Sequence, residues 1–133
     1  ARDLALEDCP MGCVLIIDDD QSFREMVSEM VRRLGFKTRQ MSGGQAVLDG
    51  ADTDDLDVVL TDIFMPNGEG METIRKLRTD RPGLGIVAMT GAETNKADRG
   101  WLSMAEAMGA HASLPKPFTR SDLSAALSQA MRA

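Results

Sequence analysis

The sequence predicts an α/β fold: a doubly wound, five-stranded parallel sheet with helices on both faces. Three observations predict it. Short apolar runs of strand length alternate five times with segments of helical periodicity. Each strand is separated from the next by a whole helix, so the strands run parallel, because tight turns join only antiparallel ones. Right-handed crossovers then distribute the helices over both faces.

The elements follow in order. Cys13-Val14-Leu15-Ile16-Ile17 is a buried strand stopped by Asp18-Asp19-Asp20. Phe23, Met26, Val27, Met30, Val31 and Leu34 lie at offsets 0, 3, 4, 7, 8 and 11, one face of a helix. Ser22 and Glu25 have capping-box spacing, and Gly35 sits where a helix end takes a left-handed residue. Phe36 to Met41 is a more polar strand near a sheet edge, and Gly43 to Gly50 a short helix. Asp57-Val58-Val59-Leu60-Thr61 is a second buried strand, ending at Asp62. The loop Ile63-Phe64-Met65-Pro66-Asn67-Gly68 is broken by Pro and Gly. Glu69 to Thr79 is a helix ended by Arg81-Pro82-Gly83, and Gly85 to Thr90 a strand. Asn95 to Met108 is mostly helical and stops at Gly109. His111 to Leu114 is a short strand before Pro115-Lys116-Pro117. Thr119 to Arg132 is the last helix, capped by Thr119 or Ser121, with Leu123, Ala126, Leu127 and Ala130 on its apolar face.

Composition narrows the function classes. At 133 residues, 43% hydrophobic and 27% charged, the chain is an ordinary globular domain that needs no disulfide or metal staple. Its net charge of −6 argues against nucleic-acid binding, which requires a basic footprint. Cys9, Cys13 and His111 are too few for a four-ligand zinc site, and Cys13, opening an apolar run, reads as a small buried hydrophobe. No apolar stretch is long enough to span a bilayer. Residues 1–12 form a leader with Asp3, Glu7 and Asp8 and no signal core, so the expected compartment is the cytoplasm, with no membrane partner. Ala1 in place of Met fits a processed chain or a piece of a longer one.

A doubly wound sheet binds ligands at the C-terminal ends of its strands. Those ends carry Asp18, Asp19 and Asp20 after the first strand, Asp62 after the third, Thr90 at the fourth and Lys116 after the fifth. Alone, Asp20 reads as a helix cap, Thr90 as a turn hydroxyl and Lys116 as a solvated charge. Together they form a pocket. Carboxylates ~5 Å apart at an effective dielectric of ~20 repel by about 3 kcal/mol per pair, so the cluster calls for a cation. Oxygen ligands in this number suit Mg²⁺. Metal, ammonium and hydroxyl together are what a transferring phosphoryl group needs, since its charge spreads over the equatorial oxygens. The residues alone do not choose between Asp62 and Asp18 as the reacting carboxylate.

Here the sequence resembles a known family. Val14-Leu15-Ile16-Ile17-Asp18-Asp19 resembles the acidic strand end of bacterial two-component response-regulator receiver domains. Asp62-Ile63-Phe64-Met65-Pro66 with Gly70 resembles their phosphoacceptor segment, Met89-Thr90-Gly91 their switch threonine, and Leu114-Pro115-Lys116-Pro117-Phe118 their lysine-proline-phenylalanine segment. The resemblance covers about residues 12 to 132 and implies a flavodoxin-like (βα)5 receiver domain over 13–133, of the chemotaxis type. It further implies that Asp62 takes a phosphoryl group from a histidine kinase or phosphotransfer protein. Asp18, Asp19, Asp62 and the backbone carbonyl of Phe64 would hold Mg²⁺, with Asp18 acting mainly through water. Lys116 would clamp a phosphoryl oxygen, and Thr90 would report its arrival. The domain would then change its surface for a downstream protein, as a monomer or weak homodimer, standing alone or cut from a longer chain. It would be a regulatory domain rather than an enzyme, beyond catalysing its own phosphorylation and dephosphorylation.

Two positions depart from the family pattern. Ser113 stands where many receivers carry an aromatic residue coupled to the threonine, and Gly91 to Gly109 is longer than usual. Within that stretch Trp101, Met104, Ala105 and Met108 have helical spacing and read first as core packing, second as a partner-facing patch. His111 reads as structural or exposed, and Asp52, Asp54, Asp55 and Asp57 as a solvated loop. The rival function is a haloacid dehalogenase-type phosphatase with Asp18 as nucleophile. Against it, Ser22 replaces the usual Thr or Val, no suitable acidic pair follows Lys116, and Asp62 is left without a role.

Overall fold

Cys13 to Ile17 is apolar on both sides of the strand it forms, and both sides are covered. The computed structural model describes residues 12–63, 69–90 and 100–131. In chain order the elements are β1 (Cys13–Ile17), α1 (Gln21–Arg33), β2 (Lys37–Met41), α2 (Gln45–Leu48), β3 (Val58–Asp62), α3 (Glu69–Asp80), β4 (Gly85–Thr90), α4 (Gly100–Met108), β5 (Ala112–Pro115) and α5 (Arg120–Met131). All strand pairs are parallel, in the order β2-β1-β3-β4-β5. This is the doubly wound five-stranded sheet expected from the sequence.

Strand alternation splits the core in two. Cys13, Leu15, Ile17, Val59, Ile86 and Ala88 face a cluster with Val47 of α2, Ile74 and Leu77 of α3 and Ala105 of α4. Val14, Ile16, Val58, Leu60, Val87 and Met89 face the other, with Val27 and Val31 of α1 and Leu123, Ala126, Leu127 and Ala130 of α5. The polar strand β2 lies at an edge, as its sequence requires.

The helix ends show where local signals compete. Gly35 has φ +102° and closes α1 by donating to the Arg32 carbonyl at 2.9 Å, as expected. The N-cap of α1, however, is Asp20 rather than Ser22. Its Oδ1 accepts from the Phe23 backbone N–H at 3.1 Å. The chain turns helical as soon as β1 ends, so the earlier of two competent caps is used and Ser22 falls inside the first turn. At α5 the cap is Thr119, reciprocated by Asp122: the Asp122 N–H donates to Thr119 Oγ1 at 3.0 Å and the Thr119 N–H to Asp122 Oδ2 at 2.9 Å. The short helix expected at 43–50 shrinks to Gln45–Leu48, while the strand expected at 111–114 shifts to Ala112–Pro115.

The acidic loop before β3 is more than solvated. Asp57 Oδ2 accepts from the Cys13 N–H at 2.8 Å, and Asp55 pairs with Arg39 at 2.7 Å. Cys13 is buried, and burial pushes its thiol pKa up, as an inert core cysteine requires. His111 is structural: its Nδ1 accepts from the Ile86 N–H at 3.0 Å. Ala105 is buried and Met108 packs against the core, whereas Met104 is exposed. The side chain of Trp101, residues 95–99 and Cys9 lie outside the described residues.

Candidate functional site

The chain leaves β1 toward β2 on one side and returns to β3 on the other, so β1 and β3 are neighbours at the point where strand order reverses. Their C-terminal ends define the crevice in which such sheets bind ligands. Asp18 directly follows β1 and Asp62 is the last residue of β3. Both are buried, while Asp19 is exposed at the rim. One carboxylate oxygen from each of Asp18, Asp19 and Asp62 lies within 4.8 Å of the other two.

Lys116 enters from the end of β5. Its Nζ donates to Asp18 Oδ2 at 2.7 Å and to Asp62 Oδ2 at 3.1 Å. Burial opposes the ammonium charge, but the hydrogen bond to Asp18 and the charges of Asp62 and Asp18 outweigh it, so the Lys116 pKa stands above the ordinary lysine value. The Lys116 N–H also donates to the Thr90 carbonyl at 2.8 Å, which fixes the buried end of β4 beside the lysine. Asp18, Asp19, Asp62, Thr90 and Lys116 thus lie at one end of the sheet. Phe64 lies outside the described residues.

Gly70 explains itself sterically. A Cβ there would stand 2.6 Å from both the Asp62 carbonyl oxygen and the Ile63 Cα. Only glycine lets the first turn of α3 pass so close behind the end of β3.

Two neighbours of the site do not lie at strand ends. Arg24 Nη1 donates to the Asp18 carbonyl at 2.7 Å and its Nε to Gln40 Oε1 at 3.1 Å, bracing the end of β1 against β2. Phe23 lies under Lys116, with Nζ 4.1 Å from its ring centroid. Both belong to the first turn of the helix that follows the acidic triplet, and that position was the available signal.

The donor set fits a divalent cation. Three carboxylates and one ammonium leave a formal charge of −2, and hard oxygen ligands open to water on the Asp19 side are what Mg²⁺ accepts. Asp18 is held at both of its carboxylate oxygens. Its Oδ1 accepts from the Asp20 N–H at 2.9 Å, and its Oδ2 is held by Lys116.

A family model, the response regulator receiver domain, matches residues 14–128. The chain belongs to that family. It is 28% identical over 123 residues to the transcriptional regulatory protein CpxR of Escherichia coli K12, covering 92% of this chain and 50% of CpxR. A response regulator receiver domain protein from Clostridium thermocellum superposes with a TM-score of 0.76 at 28% identity, covering 91% of this chain and 94% of that one. The chemotaxis protein CheY4 of Vibrio cholerae does so with a TM-score of 0.76 at 28% identity, covering 90% and 98%. The receiver thus spans about half the length of CpxR, and 22% of the DNA-binding transcriptional regulator NtrC of Klebsiella pneumoniae, to which it is 32% identical over 107 residues. It is a phosphorylation-activated signalling switch of the two-component type and a regulatory domain. Nothing in these likenesses supports the phosphatase reading. Among the described residues no helix is long and apolar enough to cross a membrane.

Proposed function

We propose that Asp62 is the phosphoacceptor and that a histidine kinase, or a phosphotransfer protein carrying phosphohistidine, is the donor. The observation that supports this most directly is the shared ammonium: Lys116 bridges Asp62 and Asp18 at the point where strand order reverses. In this reading an Asp62 carboxylate oxygen forms the new P–O bond as the donor's P–N bond breaks and the imidazole leaves. Lys116 keeps one equatorial phosphoryl oxygen, and the Thr90 hydroxyl takes another. Asp18, Asp19, Asp62 and the Phe64 carbonyl hold Mg²⁺, which supplies Lewis-acid neutralisation of the phosphoryl charge. The same pocket supports self-catalysed phosphorylation from small donors and self-catalysed dephosphorylation.

The receiver unit in this reading is 13–133, with 1–12 as a leader, and its setting is the cytoplasm. Its acidic surface is for proteins: the domain itself contacts no nucleic acid or membrane, and it works as a monomer or weak homodimer. Phosphorylation shifts a two-state equilibrium and alters the surface offered to a downstream protein.

The test is intact mass after incubation with acetyl phosphate and Mg²⁺, beside Asp62→Asn and Asp18→Asn. One phosphoryl group gained by the native protein, lost in Asp62→Asn and dependent on Mg²⁺, is the expected result. No adduct, with phosphate release that survives Asp62→Asn but not Asp18→Asn, would refute it.

A further inference from the structure

We propose that Phe23 is a positioning residue for Lys116, its ring face holding the ammonium in place while the carboxylates around it are engaged by metal and phosphoryl group. The inference deepens the reading of Asp62 as phosphoacceptor and rests on it for its functional consequence; the contact itself does not.

A lysine is a point charge on a flexible four-carbon stem, so its position is set by what its head touches. Among the described residues the Lys116 Nζ touches Asp18 Oδ2 at 2.7 Å, Asp62 Oδ2 at 3.1 Å and the Phe23 ring, 4.1 Å from its centroid. The ring distance is inside the ~6 Å range in which the negative face of an aromatic attracts a cation. The two carboxylates are also the groups a divalent cation would take, and Asp62 is the group that would carry the phosphoryl. Both can therefore be drawn away from the lysine during the reaction cycle. The aromatic face has no such competitor.

The ring is itself held. Phe118, two residues after Lys116, makes a T-shaped contact with Phe23, with centroids 5.8 Å apart and planes at 84°. The Phe23 backbone N–H is fixed by the Asp20 cap at 3.1 Å. Both phenylalanines pack against the core formed by α1 and α5. The platform under the ammonium is thus built from α1 and the segment after β5, independent of the acidic pocket. A leucine at 23 would fill similar space but offer no negative face, so packing and ring electrostatics can be separated.

The experiment compares the native receiver with Phe23→Leu, Phe23→Tyr and Phe23→pentafluorophenylalanine, the last keeping the shape while reversing the ring's charge distribution. Two quantities are read: the proton NMR shift of the Lys116 ε-methylene with and without Mg²⁺, and the rate of phosphorylation by acetyl phosphate. In the native protein the methylene resonates upfield of ordinary lysine and stays there when Mg²⁺ is added. The phosphorylation rate falls about fivefold in the Leu and pentafluoro variants and is retained in the Tyr variant. An ordinary Lys116 shift in the Mg²⁺-loaded native protein, or a native rate in the pentafluoro variant, overturns the proposal. If the native protein takes no phosphoryl group, the phosphoacceptor reading fails, and the NMR comparison still decides whether Phe23 holds the lysine.

Discussion

The Lys116 ammonium stands 3.1 Å from Oδ2 of Asp62, across 54 residues of chain. The same nitrogen is 2.7 Å from Asp18, so one cation is shared by the two buried carboxylates that β1 and β3 bring together and offsets half their charge. Parallel strands ending side by side force this juxtaposition, and the lysine makes it tolerable.

Removing that cation has a stability cost that Mg²⁺ should offset. Breaking a buried pair costs on the order of 3–5 kcal/mol, and because Lys116 keeps some exposure Lys116→Met is expected to cost about 2–3 kcal/mol. Millimolar Mg²⁺ supplies the missing charge and should narrow the gap by at least half. Urea unfolding of both proteins, with and without Mg²⁺, checks this; a gap unchanged by Mg²⁺ contradicts the shared-charge account.

Asp19 allows the metal to be tested without disturbing the core, since it alone of the three carboxylates is exposed. Asp19→Asn should leave metal-free stability within about 0.5 kcal/mol. It should remove most of the rise in melting temperature caused by Mg²⁺. For the native protein that rise follows mass action: about 2.7 kcal/mol at a hundredfold excess over Kd, on the order of 10 °C for a domain of this length. Thermal unfolding across a Mg²⁺ titration measures both, and equal shifts in the two proteins would remove Asp19 from the ligand set.

Much of this site was legible because strand ends are legible. The apolar runs ending at Ile17, Thr61 and Thr90 place Asp18, Asp62 and Thr90 without any knowledge of side-chain contacts, and the alternation with helices dictates that they converge. Contacts made sideways from a helix were not legible. Periodicity places Phe23 on a helix, but its reach to Lys116, and that of Arg24 to Asp18, depends on the angle at which α1 leaves β1. The cap of α1 is ambiguous in sequence for a related reason: Asp20 and Ser22 are both competent caps, and tertiary geometry chooses Asp20. His111 lacked any local partner in sequence because its partner is a backbone N–H 25 residues away.

Gly70→Ala tests the close passage of α3 behind the end of β3. In a helix the change to Ala normally stabilises by about 1 kcal/mol. Here the new methyl would lie 2.6 Å from the Asp62 carbonyl oxygen, and backbone cannot yield as a flexible side chain can. Overpacking of this kind costs about 1–3 kcal/mol against that gain of about 1 kcal/mol, so net destabilisation of up to about 2 kcal/mol is expected. The phosphorylation rate should fall with it, because the clash pushes on Asp62 itself. Chemical denaturation and the acetyl phosphate rate check both; a stabilised Gly70→Ala would show that the helix can move away freely.

The last prediction concerns pH. His111 Nδ1 accepts from the Ile86 N–H at 3.0 Å, the His111 backbone N–H donates to the Ile86 carbonyl at 2.7 Å, and Gln129 Nε2 donates to the His111 carbonyl at 2.8 Å. Only the neutral ring can accept at Nδ1, and burial, with Arg78 adding to it, lowers the His111 pKa. The folded state therefore binds fewer protons than the unfolded one. Above the ordinary imidazole value of about 6.5 this group adds no pH dependence. As pH falls from there to the lowered folded value, its stabilisation is lost, and the Ile86 N–H loses its acceptor. His111→Asn places an amide oxygen near the same position and cannot titrate. Urea midpoints between about pH 7 and pH 5, above the main carboxylate range, should decline for the native protein and stay flatter for His111→Asn. Parallel declines would assign the acid sensitivity to the carboxylates instead.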